Sequence, residues 1–475
     1  MSVLRKLAGQ TAIYGLSSIV ARFLNFLLTP LYTSKGVFAP EEFGIITSLY
    51  AWAAFVNVVL TFGMETTFFR FAHRKELDPK RAYATAFFSV AGLSLFFTLL
   101  CALFPDAIAG GIRYPEQGRL VLMLAFALGL DAMTALPMAR LRNEGRPWRF
   151  VSVNLLNVGV TIGLSLYVFA YAKPHDPGIG VGHVFLINLI ASAVKFLVLV
   201  PQWPRIAAFD RALLRPMLVF AAPLAIAGLA GMVNETADRA VLKYLLPAGL
   251  ADAQIGIYGA CYKLAVLITL FIQAVRMGAE PFFFSHAKEQ DSKRTFARIM
   301  NVFVAVCMSA FLLVMLFLDL FKWFIPNEAY HEGLRVVPIL MLANVFLGIY
   351  YNQSVWYKLT DRTRAGSTIS IAGALITLVG LFALIPVMGY LGAAWATFIC
   401  YASMAVISFV WGQRHYPIPY DVSRVLLYMA GAVFLWWGAE QMPLQGALDH
   451  ALRTVLLLGY VVVVGRLERP AFRLG

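Results

Sequence analysis

The sequence contains few charged residues for its length. They make up 13% of the 475 positions, whereas hydrophobic residues make up 60%. A soluble globular domain usually carries about 25% charged residues, so this composition excludes a soluble protein. The apolar residues lie in long runs and not in short alternating segments, which argues against a transmembrane barrel of strands. We therefore predict an all-α polytopic membrane protein.

The sequence also lacks the usual marks of an enzyme or a metal protein. Its four cysteines lie inside apolar runs without CxxC or Cys/His spacing, so neither a disulfide framework nor a metal site is expected. GxSxG, HExxH, P-loop motifs and clustered carboxylates are all missing. No loop exceeds about twenty residues, which leaves no room for a soluble catalytic domain. We predict a non-enzyme with no catalytic residues, no metal and no cofactor.

Acidic residues are scarce relative to basic ones. The chain has 25 Asp and Glu against 39 Lys and Arg, a net charge of +14. Most of the basic residues fall in loops on the side of the N-terminus, as is typical of cytoplasmic loops. We therefore predict cytoplasmic termini, with Lys35 and residues 105–118 facing the periplasm and residues 70–82 facing the cytoplasm. Because topology accounts for the basic charge, no nucleic-acid partner is expected.

About fourteen apolar stretches are long enough to span a bilayer, and the chain contains an internal repeat. The motif APEEFGIITSLY at residues 39–50 is echoed by ADAQIGIYGACY at residues 251–262. Both copies start on the same side of the membrane, so the repeat predicts two six-helix lobes, a transporter architecture. The predicted domains are residues 1–204 (N-terminal lobe), 205–412 (C-terminal lobe) and 413–475 (two extra helices and a cytoplasmic tail).

The first apolar stretch, residues 10–33, carries a polar stripe with an arginine in the middle. Ser18, Arg22, Asn25 and Thr29 follow spacings that place them on one face of a helix. Lipid cannot solvate such a face, so it must turn toward protein or a water-filled cavity. Two interpretations are open for Arg22, namely a functional cavity, which we favour, and a structural ion pair.

The eighth stretch, residues 255–279, has a second stripe that contains an arginine. Its face carries Tyr258, Tyr262, Thr269, Gln273, Arg276 and Glu280. Lys263 lies on the same helix, about 140° around the axis from Arg276. Arginine and lysine in a membrane interior suit an anionic substrate, and the planar guanidinium matches phosphate oxygens. The predicted substrate-binding residues are therefore Arg22, Asn25, Lys263, Gln273 and Arg276.

Three further stretches carry polar stripes. The second has Tyr50, Asn57, Thr61 and Glu65; the fifth has Asn154, Asn157, Thr161 and Ser165; the sixth has Asn188, Ser192 and Lys195. Such side chains often join membrane helices by hydrogen bonds, and we favour that role for the fifth and sixth stretches. The second stretch differs because a charge shares its stripe.

Asp131 is the deepest acidic residue in the predicted spans. Two roles are open for it. One is an ion pair with Arg22, which we favour. The other is coupling of transport to an ion gradient, because the chain has no nucleotide-binding motif that could drive movement of a charged substrate.

The chain resembles a known family in several segments. GLSSIVARFLNFLLTPLYTS, FAPEEFGIITSLY and LTFGMETTFFRF are similar to the opening of the polysaccharide (O-antigen) flippases. In the second half, ETADRAVLKYLLPAG and IGIYGACYKLA resemble the counterpart motif of that family. These flippases belong to the multidrug/oligosaccharidyl-lipid/polysaccharide (MOP) exporter superfamily, which also includes lipid II flippases and MATE antiporters.

The resemblance implies a flippase that moves a polyprenyl-diphosphate-linked oligosaccharide from the cytoplasmic to the periplasmic leaflet by alternating access. It implies a bacterial inner-membrane location, with membrane lipids and glycan-assembly proteins as partners. In related lipid II flippases, arginines of the first and eighth spans line the cavity, and Arg22 and Arg276 occupy matching places.

Two other classes stay open. A MATE-like cation or drug antiporter needs an exposed carboxylate in a lobe cavity, for which Asp131 is the deep candidate. A membrane-embedded transferase is disfavoured by the missing loop domain.

Overall fold

The computed structural model describes residues 3–286, 291–442 and 446–472. The chain is 86% helical, and no strand occurs in these ranges. Thirteen helices of the described residues are long and apolar enough to cross a membrane. They coincide with the second to fourteenth predicted spans, which confirms the predicted class, an all-α multi-pass membrane protein.

The first predicted span, residues 10–33, is not one continuous helix. Helix α1 (Val3–Phe26) ends before Leu27, and α2 (Leu28–Tyr32) follows it. Pro30 explains the break, because proline has no N–H to donate to the carbonyl four residues earlier and its ring collides with that turn. The predicted stripe therefore divides, with Arg22 and Asn25 exposed on α1 and Thr29 buried on α2.

The chain divides into two compact units. Unit 1 comprises Met1–Gly259 and Leu381–Tyr390. Besides α1 and α2 it contains α3 (Pro40–Thr61), α4 (Met64–Ala72), α5 (Pro79–Leu103), α6 (Pro105–Gly111), α7 (Gly118–Asn143), α8 (Pro147–Ser165), α9 (Val181–Leu199), α10 (Arg211–Leu245) and the start of α11 (Ala248–His286).

Unit 2 comprises Ala260–Gly380 and Leu391–Gly475. Its helices are the rest of α11, then α12 (Ser292–Leu316), α13 (Leu318–Phe321), α14 (Val337–Gln353), α15 (Val355–Leu359), most of α16 (Thr363–Met388), α17 (Tyr390–His415), α18 (Val422–Glu440) and α19 (Ala447–Phe472). The two units are sets of residues that contact one another, whereas the predicted lobes are the two copies of the sequence repeat. The lobe boundaries at residues 204 and 412 stay a prediction.

The centre of unit 1 is α7, which packs between α5 and α9. Helix α3 packs against α7 and α10, and α1 packs mainly against α8. The apolar core lies between α3, α4, α5, α7 and α10 and includes Leu60, Phe68, Phe87, Leu136 and Met217, each at most 2% exposed. Burial of such large side chains fixes the neighbouring helices in register.

Two glycines bring α3 and α11 together within unit 1. A Cβ atom at Gly256 would lie 1.9 Å from the Pro40 carbonyl oxygen and 2.9 Å from the Gly44 nitrogen. A Cβ atom at Gly44 would lie 1.9 Å from the Asp252 carbonyl oxygen. Only glycine allows backbones to approach so closely. Gly44 and Gly256 occupy equivalent positions in the two repeat motifs, so the motifs contact each other at corresponding residues.

In unit 2, α12 packs against α14, α18 and α19. Arg453 on α19 connects α12, α18 and α19, because its guanidinium lies 2.8 Å from Asp449, 3.2 Å from Glu440 and 2.7 Å from the Leu316 carbonyl oxygen. Such partners stabilise a cation between apolar helices. The last two helices, α18 and α19, therefore pack against the rest of unit 2.

Candidate functional site

A polar cavity of about 620 Å³ lies inside unit 1. Helices α3, α4, α7, α8 and α9 form its walls. Its polar lining consists of Tyr50, Asn57, Thr61, Glu65, Asp131, Arg142, Asn154, Asn188 and Lys195, and its apolar lining includes Phe150, Leu124, Leu128 and several alanines. Four of these lining residues are ionisable, and ionisable residues between membrane helices mark a candidate functional site.

Asp131 on α7 is part of an ordered network at one end of the cavity. The Lys195 ammonium lies 3.6 Å from its carboxylate, and the Ser192 hydroxyl donates to the same carboxylate at 3.0 Å. Ser192 also lies 3.4 Å from the Asn188 amide oxygen, and the Asn188 amide donates to the Tyr50 hydroxyl at 2.8 Å. The network therefore joins α7, α9 and α3.

The expected ion pair between Asp131 and Arg22 is wrong. Helix α1 packs mainly against α8, whereas α7 packs against α9, so Lys195 and not Arg22 reaches Asp131. Asp131 keeps 35% of its side chain exposed in the cavity, and Lys195 keeps 19%. The carboxylate is thus both paired and accessible.

Glu65 and Arg142 form an ion pair at the other end of the cavity. Glu65 reaches this place because the second span breaks at Phe62 and Gly63, which both adopt left-handed backbone angles (φ 45° and 67°). A left-handed phenylalanine is strained, and here it redirects α4 relative to α3. Glu65 is therefore paired with a cation where its span ends.

Arg142 also contacts aromatic rings at this end. Its guanidinium carbon lies 5.3 Å from the centroid of Phe69 and 5.8 Å from that of Phe150. Such contacts stabilise a guanidinium that is partly removed from water. The ion pair and the rings together hold Arg142 at the cavity wall.

Two amides in the cavity wall form no side-chain hydrogen bond with the described residues. Asn57 on α3 is exposed and Asn154 on α8 is half-buried, and neither side chain bonds to another part of the described chain. Each offers two donor hydrogens and one acceptor oxygen. These groups are therefore open to a bound ligand.

The sixth stripe joins neighbouring helices, and residues of both the fifth and the sixth stripes also line the cavity. Asn188 and Ser192 join neighbouring helices by hydrogen bonds, as expected for the sixth stripe. However, Asn154, Asn188 and Lys195 also line the cavity. These stripes therefore supply the cavity as well as contacts between helices. The sequence signal for the cavity is that the sixth stripe ends in Lys195 while Asp131 is the deepest acidic residue of the spans.

The ionisable groups of the cavity balance. Glu65 and Asp131 carry negative charge, and Arg142 and Lys195 carry positive charge, with one acid–base pair at each end. The described lining of the cavity therefore carries no excess charge that would attract an anion or a cation. It instead offers amides, hydroxyls and aromatic rings, which can bind a neutral polar molecule.

Of the predicted substrate-binding residues, Arg22 and Asn25 belong to unit 1. Both side chains are exposed on α1, outside the lining of the cavity. Within the described part of the chain, Arg22 forms no ion pair. An exposed arginine on an apolar helix is suited to bind an anionic group.

Lys263, Gln273 and Arg276 lie on the part of α11 that belongs to unit 2. Lys263 and Gln273 are half-buried, and Arg276 is exposed. The Arg276 guanidinium carbon lies 4.7 Å from the centroid of the Tyr351 ring on α14. A stacked guanidinium keeps its N–H groups directed outward around the ring plane, so this contact orients Arg276. Substrate binding by these residues stays a prediction.

Comparison with known proteins identifies the family. Residues 37–332 match a family described as polysaccharide biosynthesis protein. A search of curated proteins found no match.

Several solved structures have the same fold. A lipid II flippase, MurJ, in an inward closed conformation shares 12% identity at a TM-score of 0.76, over 95% of this chain and 98% of that one. An inward-facing multidrug resistance MATE transporter of the MOP superfamily shares 14% identity at a TM-score of 0.65, over 90% of this chain and 96% of that one. A MOP superfamily transporter from Pyrococcus furiosus shares 15% identity at a TM-score of 0.57, over 90% of this chain and 96% of that one. At these identities the likeness concerns the fold. Since the family match covers more than half of the chain, the protein belongs to the polysaccharide biosynthesis protein family and has the fold of the MOP superfamily transporters.

Proposed function

We propose that the protein is a flippase that moves a polyprenyl-diphosphate-linked oligosaccharide from the cytoplasmic to the periplasmic leaflet of a bacterial inner membrane. The observation that carries the proposal is the charge-balanced polar cavity inside unit 1 of a polysaccharide biosynthesis protein. The fold shared with a lipid II flippase supports alternating access as the mechanism. Both termini are cytoplasmic in this proposal.

The MATE-like alternative fits the cavity less well. A cation or drug antiporter needs an accessible carboxylate without a fixed counter-charge. Asp131 is accessible, but the Lys195 ammonium at 3.6 Å offsets its charge. The pair therefore weakens attraction for cations, and we favour the flippase.

In this proposal the exposed arginines bind the diphosphate. Arg22 in unit 1 and Arg276 in unit 2 each present a guanidinium whose planar donors match phosphate oxygens. Asn25, Lys263 and Gln273 contribute further polar contacts. Lysine at either arginine position keeps the charge but loses the fork, so it should only partly substitute.

Paired measurements of glycan export and protein level in cells test these arginines. A charged hydrogen bond contributes about 1.5–3 kcal/mol, so Arg22→Ala and Arg276→Ala should each reduce export about tenfold or more. Arg22→Lys should reduce it less, and protein levels should stay normal. Arg205→Ala, which changes an exposed arginine between α9 and α10, is the matched control and should export normally. Normal export from both alanine variants would end the diphosphate assignment.

We further propose that Asp131 couples transport to an ion gradient. Its carboxylate is accessible from the cavity and can exchange Lys195 for a proton or a cation. In reconstituted vesicles, Asp131→Asn should make transport insensitive to the gradient. Unchanged gradient dependence would remove Asp131 from this role.

A further inference from the structure

We propose that the cavity of unit 1 is a binding site for the sugar residues of the lipid-linked glycan, distinct from the arginines that bind the diphosphate. This inference rests on the proposed function. It assigns the glycan to residues of α3, α7, α8 and α9.

The donor and acceptor pattern of the cavity fits a sugar. Each hydroxyl of a sugar both donates and accepts a hydrogen bond, so its site needs both kinds of group in close alternation. The free amides of Asn57 and Asn154 supply both, and the Tyr50 and Thr61 hydroxyls add further partners. Asp131 accepts hydrogen bonds strongly because it is charged.

Aromatic rings lie toward both ends of the same cavity. Tyr50 lies beside Asn188, where it stacks on Phe185 at 5.5 Å, and Phe150 lies beside Arg142, where Tyr14 meets its edge at 5.1 Å. Because neighbouring rings hold both side chains in place, they offer fixed apolar surfaces for the C–H face of a sugar ring.

Size and charge exclude the competing ligands. A volume of about 620 Å³ falls within the roughly 300–1,000 Å³ of small-molecule sites. A phosphate group would need an excess of cationic donors, and an organic cation would need an excess of carboxylates. The pairs Glu65–Arg142 and Asp131–Lys195 leave neither.

The two parts of the lining have different roles in this assignment. Asn188, Ser192, Asp131 and Lys195 are fixed by their mutual contacts, so they form a preorganised wall. Asn57 and Asn154 are unbonded and can turn toward the hydroxyls of the particular glycan. We therefore assign sugar selectivity mainly to these two amides.

The test places a reporter thiol in the cavity without changing a polar residue. Ala135 on α7 lines the cavity and is half-buried. Ala135→Cys is made in a background in which the four native cysteines, all buried, are replaced by alanine. Purified protein is labelled with N-ethylmaleimide alone, with undecaprenyl diphosphate, or with lipid-linked glycan extracted from the host. Glu76→Cys in the exposed loop before α5 controls for reagent reactivity.

The sugar assignment predicts protection by the glycan-bearing lipid only. At a concentration about ten times the Kd, mass action slows labelling of Ala135→Cys about tenfold. Undecaprenyl diphosphate, which lacks the sugars, should leave the rate unchanged, and Glu76→Cys should label equally in all three conditions. Asn154→Leu in the reporter background should abolish protection. Asn157→Leu, on the same helix but outside the cavity lining, should retain it.

The outcomes separate this inference from the proposed function. Equal protection by undecaprenyl diphosphate, or no protection by either lipid, overturns the sugar assignment. When the protection test fails in this way but the reporter variant still exports glycan in cells, only the cavity assignment is lost and the proposed function stands. If the unmodified protein exports no glycan, the proposed function itself fails.

Discussion

Two lysine–aspartate pairs among the described residues of unit 1 differ in distance and in exposure. The Lys243 ammonium lies 2.7 Å from both carboxylate oxygens of Asp252, and only 7% of the lysine side chain is exposed. The Lys195 ammonium lies 3.6 Å from Asp131, whose side chain is 35% exposed. The first pair is closed and close-packed, whereas the second borders a cavity. The same type of ion pair therefore stabilises the fold at Lys243 and Asp252 and remains accessible to a ligand at Lys195 and Asp131.

Neighbouring residues stabilise the closed pair of Lys243 and Asp252. The Tyr114 hydroxyl donates to Asp252 at 2.7 Å, and its ring centroid lies 4.0 Å from the Lys243 ammonium. Burial raises the pKa of Tyr114, so it remains a neutral donor. Arg113 donates to the Tyr244 carbonyl oxygen at 3.0 Å. These contacts join the segment before α7 to the end of α10 and the start of α11.

The glycine crossing beside the closed pair should be the most sensitive place in unit 1. In Gly256→Ala the new methyl group would meet the Pro40 carbonyl oxygen, a backbone atom that cannot turn away. We expect destabilisation above about 3 kcal/mol and severe loss of folded protein, measured by size-exclusion chromatography after extraction. Gly249→Ala, on the same helix with open space around it, should accumulate normally. Normal folding of both variants would show that α3 and α11 are not closely packed.

Breaking the closed pair should have a smaller but clear effect on stability. Lys243→Met leaves Asp252 without its cation, and loss of one partner of a buried pair costs about 3–5 kcal/mol. Because 23% of the Asp252 side chain is exposed, we expect about 2–3 kcal/mol, measured as a fall in melting temperature.

Breaking the cavity pair should have the smallest effect on stability and a large effect on transport. Lys195→Met leaves Asp131 accessible to water in the cavity, so stability should change by less than about 1 kcal/mol. Glycan export should nevertheless fall, because the cavity gains an unbalanced negative charge. If Lys195→Met and Lys243→Met lost the same stability, the distinction between the two pairs would be wrong.

The sequence predicted the helical class and the polar faces of the spans from composition and spacing. It could not predict which faces meet, because a stripe gives the side of a helix but not its neighbour. Asp131 was therefore assigned to Arg22, although α9 and not α1 packs beside α7. The break of the first span at Leu27 could have been predicted from Pro30. The left-handed backbone of Phe62 could not be predicted in the same way, because the adjacent Gly63 was the only sign of a break in the sequence.

The central claim is that a charge-balanced cavity belongs to a flippase of lipid-linked glycan. The most direct measurement reconstitutes the purified protein in vesicles that carry host lipid-linked glycan, and follows its exposure to an impermeant lectin. A cationic dye is followed in parallel. We predict that the protein accelerates movement of the glycan lipid, that Arg22→Ala does not, and that dye movement is unchanged. Movement of the dye without movement of the glycan lipid would contradict the account and support a cation antiporter.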